Sequence, residues 1–219
     1  MKRTILCVLL LLIAMTPSFA QEKDVTKFLG IPVDGTKAEM IAKLKEKGFT
    51  QVDYDEDVIL EGQFNGTDVY IFVVANNNKV YRIMVSDKNK RSETDIKIRF
   101  NILCNQFNEN NKYISLEDYT ISEDEDISYQ IRVKNKRYQA VFYQANNEFI
   151  INELLSKFTK DQLANIDKLS EKDQNDISSI YQKNCSHKAV WFIISEGYGE
   201  YGITMYYDNI LNQANGDDL

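Results

Sequence analysis

The sequence predicts an α+β protein of two units, each a helix followed by a four-stranded antiparallel sheet, the second unit interrupted by a helical insertion. Three observations predict it. Apolar residues recur at helical spacing behind side chains suited to cap a helix, at 36–48 and again at 92–110. Short β-rich runs follow, separated by turn residues that include Asn65-Gly66, the strongest two-residue hairpin signal. The stretch from about 146 to 183 is polar, with apolar residues at helical spacing, and reads as an insertion. Composition sets the outer limits. A chain of 219 residues with 43% hydrophobic and 11% aromatic side chains can build a core. A formal net charge of −7 leaves no basic footprint for nucleic acid. Two prolines, nine glycines and three cysteines exclude collagen-like, low-complexity and disulfide-dense chains.

The first twenty residues read as a signal peptide. Lys2 and Arg3 precede an uninterrupted apolar run at 5–15, then come Pro17 and the small residues Ser18 and Ala20 flanking Phe19. An apolar run of about 7–15 residues before such a site is the secretory layout, whereas a membrane span needs about 20. Cleavage before Gln21 leaves 199 of the 219 residues and, with Lys2 and Arg3 gone, takes the charge from −7 to −9. The expectation is an exported protein, periplasmic or secreted, with no transmembrane anchor in the mature chain. Cys7 leaves with the leader. Cys104 and Cys185 remain as a candidate disulfide that would close a loop of about 80 residues, with two buried thiols as the alternative.

The first unit spans 21–90. Thr36 with Glu39 three residues on forms a capping-box signature, Met40, Ile41 and Leu44 make the apolar stripe, and Gly48 supplies the stop. Strands are expected at 49–54, 58–64, 68–74 and 80–85, turning at Asn65-Gly66 and at Asn76-Asn77-Asn78. The second unit spans 91–208. Its helix starts at Ser92 with Asp95 as the third helical residue, and Ile96, Phe100, Leu103 and Phe107 face the core. Strands are expected at 127–133, 138–143, 189–195 and 203–208, and Thr159 and Ser170 look like helix starts within the insertion. A polar tail covers 209–219; whether it docks or floats from Ile210 on is open, its Asn, Gln, Gly and Asp content suggesting that it floats without a partner. The runs 69–74 and 189–194 are apolar on both parities. Either both faces of those strands are covered, or the open face carries an apolar patch of the kind that marks a partner surface.

The entry Ile31-Pro32-Val33-Asp34-Gly35-Thr36-Lys37-Ala38-Glu39-Met40 resembles the repeats shared by β-lactamase inhibitor proteins and SmpA/OmlA-type envelope lipoproteins. There a Gly-Met-Thr-like turn starts a helix lying on a four-stranded antiparallel sheet. This resemblance covers about 65 residues and implies an envelope protein that acts by binding other proteins. The second half lacks a Gly-Thr entry, and no inhibitory residue carries over. The ending, Tyr201-Gly202-Ile203-Thr204-Met205-Tyr206-Tyr207-Asp208-Asn209 with the polar tail after it, is similar to uncharacterised secreted proteins of gut anaerobes.

The chemistry-bearing residues select no reaction. His187 is the only histidine, two residues from Cys185, and side chains so spaced on a strand point in parallel rather than at each other. No spacing suits zinc. Asp53, Asp55, Glu56 and Asp57 echo a calcium loop but lack its glycine and its final glutamate, and the run from Glu123 to Asp126 likewise lacks the turn glycine; both read as solvated turns. Gly197, Gly199 and Gly202 link two strands and open no helix, so they read as a hairpin tip presenting Tyr198 and Tyr201 rather than a phosphate loop. No cofactor and no metal are expected. The leading expectation is a non-enzymatic protein binding an unidentified envelope or extracellular protein through its sheet face and hairpin tips, with Trp191, Tyr198, Tyr201 and Tyr81 as candidate contacts. A glycan or small-ligand module around Trp191 is the second reading, and an unrecognised hydrolase the third.

Overall fold

The structure, a computed structural model, describes residues 24–54, 57–115, 117–145, 147–185 and 187–214. The expected signal peptide, Cys7, and Asp55 and Glu56 of the first acidic run lie outside the described residues.

Eight antiparallel strands form one sheet: β3 (Thr50–Tyr54), β4 (Asp57–Phe64), β5 (Thr67–Asn76), β6 (Lys79–Asp87), β10 (Glu200–Asp208), β9 (Ala189–Gly197), β8 (Gln139–Gln144) and β7 (Tyr113–Ser115), in that spatial order. A separate two-stranded hairpin joins β1 (Lys27–Phe28) to β2 (Ile31–Pro32). The tight turns use left-handed backbone where the sequence supplies it: Asn65 and Gly66 have φ of 50° and 71°, Asn77 and Asn78 of 46° and 59°. Two consecutive left-handed residues match the right-handed twist of the flanking strands, which is why Asn-Gly and Asn-Asn stand there.

One face of the sheet is covered by helix α1 (Lys37–Glu46) and helix α2 (Glu93–Glu109). Helix α1 starts as its capping box requires, with the Thr36 hydroxyl accepting from the Glu39 amide and the Glu39 carboxylate accepting from the Thr36 amide at 2.9 Å. Met40 and Leu44 on α1, and Ile96, Phe100, Leu103, Cys104 and Phe107 on α2, pack with the inward residues of β4, β5, β6, β8, β9 and β10. Leu60, Ile71, Ile83, Phe142 and Phe192 are fully buried in that layer. The stretch at 146–183 is helical as expected: α4 (Asn147–Lys157), α5 (Lys160–Ala164) and α6 (Glu171–Cys185). Ile150, Leu154, Phe158, Ile177 and Ile180 form a second apolar cluster. It packs on Ile114 and Tyr143, cross-strand partners on the opposite sheet face, so the insertion covers only the β7–β8 end of that face.

Three expectations are corrected. The segment expected as a strand at 127–133 is helix α3 (Ile127–Lys134). Its residues alternate in polarity as a strand would, but Asp126 caps the Tyr129 amide at 2.8 Å and Asn135 closes the helix in left-handed backbone. Burial then follows the helical period: Ile127 is buried, Ile131 packs on the core one turn later, and Tyr129 and Val133 are exposed. The strand that pairs with β8 is instead the three-residue β7. The tail docks at its start: Asn209 donates to the Val33 carbonyl at 2.8 Å, and Asn212 donates to Asp34 and to the Val80 carbonyl, both at 2.8 Å.

Candidate functional site

The sheet register assembles what no single strand shows. Val52, Ile59, Phe72, Met84, Tyr206, Trp191 and Val141 are successive cross-strand partners from β3 to β8, all on the face away from α1 and α2. Every one of the seven is partly exposed. With strands about 4.8 Å apart, the row runs about 29 Å across the sheet. The next row on one side is mainly polar: Glu61, Tyr70, Ser86 and Thr204, followed by Ile193 and Gln139. There Lys88 pairs with Glu61 at 2.5 Å, and the Ser86 and Thr204 hydroxyls bond at 3.2 Å. On the other side stand Val74, Arg82 and Asp208.

Arg82 and Asp208 form an ion pair at the border of this row. Arg82 donates to the two Asp208 carboxylate oxygens at 2.5 and 2.8 Å, and the Trp191 indole donates to the same carboxylate at 2.9 Å. Trp191 stacks on Tyr206 with centroids 4.0 Å apart and planes at 13°, and the guanidinium carbon sits 4.9 Å from the Tyr206 centroid. The hydrogen bond to Asp208 raises Arg82 above its ordinary pKa, so the cation is fixed at every accessible pH. Asp208 is buried although it stands on the open face, because Arg82 and Trp191 close over it.

The four candidate contacts part company. Trp191 belongs to the row, and the Tyr81 ring lies 5.9 Å from the Arg82 guanidinium. Tyr198 sits fully exposed at the tip of the β9–β10 hairpin, in left-handed backbone. Tyr201 does not sit at that tip as a presented ring: it is 1% exposed, its hydroxyl bonded to Ser128 at 2.6 Å. The reason is register, since Tyr201 shares the inward parity of Ile203, Met205 and Tyr207. Sequence reasoning missed Arg82, Asp208 and Tyr206. The only local signal was the apolar run on both parities in β5 and β9; Arg82 and Asp208 lie 126 residues apart and meet only once β6 and β10 are paired.

Cys104 and Cys185 are both free and buried, one in the cluster beneath α2 and the other in the cluster beneath the insertion. These clusters lie on opposite sheet faces, so the structure holds the second of the two sequence alternatives, a pair of thiols. Burial pushes the Cys104 thiol up to about 12, with the Asp118 charge adding to the shift. His187 bonds the Asp24 carbonyl at 2.7 Å. The acidic run at 123–126 is spent locally: Glu125 takes Lys136 and the Tyr138 hydroxyl, Asp124 takes Ser122, and Asp126 caps α3. Among the described residues no cluster of histidine, cysteine or acids is arranged to hold a metal ion, and no helix is long and apolar enough to cross a membrane. No family model matches the chain, and comparison with curated proteins and with solved structures gives no match either.

Proposed function

We propose that this chain is an exported, non-enzymatic protein of the envelope or extracellular space that binds another protein through its open sheet face. The observation that carries the reading is the seven-strand apolar row, bordered by polar and charged side chains. An apolar centre with a polar rim is the anatomy of a protein interface. The Tyr206 and Trp191 rings in the row and the Arg82 guanidinium beside them are of the types that dominate such interfaces when truncated. A row about 29 Å long is longer than a small molecule and suits a protein surface better. The exposed Tyr198 tip is available as a second contact. The same reading takes the fold as two helix-plus-four-strand units, α1 with β3 to β6 and α2 with β7 to β10, meeting at the β6–β10 pair; the strand order supports it.

The test is affinity capture and crosslinking from envelope extract with the natural chain and with Phe72→Lys, which puts a cation in the row. A partner retained by the natural chain and lost by a folded Phe72→Lys variant supports the reading. Equal retention by both, or no reproducible partner, counts against it.

A further inference from the structure

A cleft of about 770 Å³ opens away from the apolar row, where the β1–β2 hairpin meets the loop before β7 and the ends of β8 and β10. Its volume falls in the range of about 300–1,000 Å³ typical of small-ligand sites. Its walls combine rings and cations. Phe64, Tyr113 and Tyr207 supply aromatic surface, and Lys27, Lys112 and Lys188 supply positive charge, against Asp24 as the one carboxylate among the described lining residues.

Lys188 is the decisive group. Its side chain is 4% exposed, and its ammonium donates to Asp24 at 2.8 Å, whereas the Asp24 side chain is 70% exposed. A buried ammonium requires a counter-charge, yet an exposed carboxylate is a weakly held one. Another carboxylate entering the cleft can take that place without leaving Lys188 unpaired. The wall next to it is already organised, the Gln144 backbone amide donating to the Lys188 carbonyl at 2.9 Å. Gln144 is locked to the Lys27 backbone, accepting from its amide and donating to its carbonyl at 2.6 Å each, and it donates to the Tyr113 hydroxyl at 3.2 Å. The Tyr113 ring is held edge-on by Phe107 with centroids 4.7 Å apart, and the buried Tyr207 packs beneath on Phe28 and Phe64. The half-buried Tyr113 and Phe64 rings offer flat surface for one face of a saturated ring, and Asn110 and Asn111 also line the cleft, where they can meet hydroxyls.

We propose that this cleft binds a small carboxylate-bearing ring compound of the uronic-acid class, its carboxylate replacing Asp24 on Lys188. The site is separate from the sheet-face reading and stands or falls without it.

Glucuronate is the probe, titrated into isotope-labelled full protein while backbone amide shifts are followed, with glucose as the neutral control and inorganic phosphate as the ring-less anion. Glucuronate is expected to move the amides of Tyr113, Gln144 and Lys188 at millimolar concentration, and glucose is not. Asp24→Asn removes the competing carboxylate and is expected to tighten glucuronate about fivefold, the effect of one screened charge contact. Lys188→Gln, checked for native circular dichroism, is expected to lose binding. Silence of the cleft amides, Asp24→Asn binding no tighter than the natural chain, or phosphate matching glucuronate would each overturn the proposal. Because Asp24→Asn leaves Lys188 in place and keeps the Asp24 carbonyl that His187 contacts, a folding defect in Lys188→Gln does not remove the test.

Discussion

Replacing Asp208 by Asn tests the centre of the open face. The substitution keeps size and one acceptor but removes the charge that receives two hydrogen bonds from Arg82 and one from Trp191. Breaking a fully buried pair costs about 3–5 kcal/mol, while an exposed pair is worth about 1 kcal/mol or less. Here the two side chains are 25% and 7% exposed, so Arg82 regains some water once released. The expected loss is therefore about 2–3 kcal/mol, between those limits. For a chain of this size that corresponds to a fall in Tm of about 5–10 °C. Urea unfolding followed by circular dichroism measures it, and Trp191, the single tryptophan, reports the site directly through its fluorescence. A double-mutant cycle with Arg82→Met isolates the pair, with a coupling above about 1 kcal/mol expected. A loss below about 0.5 kcal/mol in Asp208→Asn, or a cycle that adds without coupling, would refute the claim that this pair organises the face.

Gly62→Ala should destabilise by about 1–3 kcal/mol, because a Cβ there would meet the buried Phe49 ring at 2.7 Å, and an unchanged urea midpoint would contradict that packing. Cys104 and Cys185 should resist alkylation in the folded protein and both react on unfolding without reductant; intact mass counts the labels, and unlabelled cysteines in the unfolded, unreduced chain would show a bridge. Burial raises Tyr113, Tyr119, Tyr181 and Tyr207 above the ordinary phenol value. The unfolded phenol releases its proton near pH 10 while the folded one keeps it, so folding takes up protons there and stability must fall as pH rises past about 10. Urea midpoints taken from about pH 8 to about pH 11 check this, and a flat series would contradict it.

What the sequence makes legible here is whatever is decided within a few residues. Thr36 and Glu39, Ser92 and Asp95, and Thr159 and Gln162 are caps that complete themselves across three positions, and each stands where local reading puts it. Asn65-Gly66 likewise carries its own turn geometry. The segment 127–134 fails for the complementary reason. Its apolar residues at 127, 129, 131 and 133 satisfy a period of two, and only the cap at Asp126 and the left-handed Asn135 select the helix. The three-residue β7 falls below the length at which any period shows; pairing with β8 defines it.

The candidate site is harder still, because it is a property of register. Each of the seven row residues is an ordinary strand residue in its own segment, and the row exists only when seven strands align. A slip of one residue in β10 would turn Tyr206 inward and Tyr207, Met205 and Ile203 outward, scattering the row and exposing the core at once. The buried face thus enforces the register that builds the open face. Core packing by α1 and α2 and the presentation of Trp191, Tyr206 and Arg82 are in this sense one constraint seen from two sides. Substitutions in the row that leave the inward side chains intact should therefore alter binding while sparing the fold, which is the separation that the Phe72→Lys capture experiment depends on.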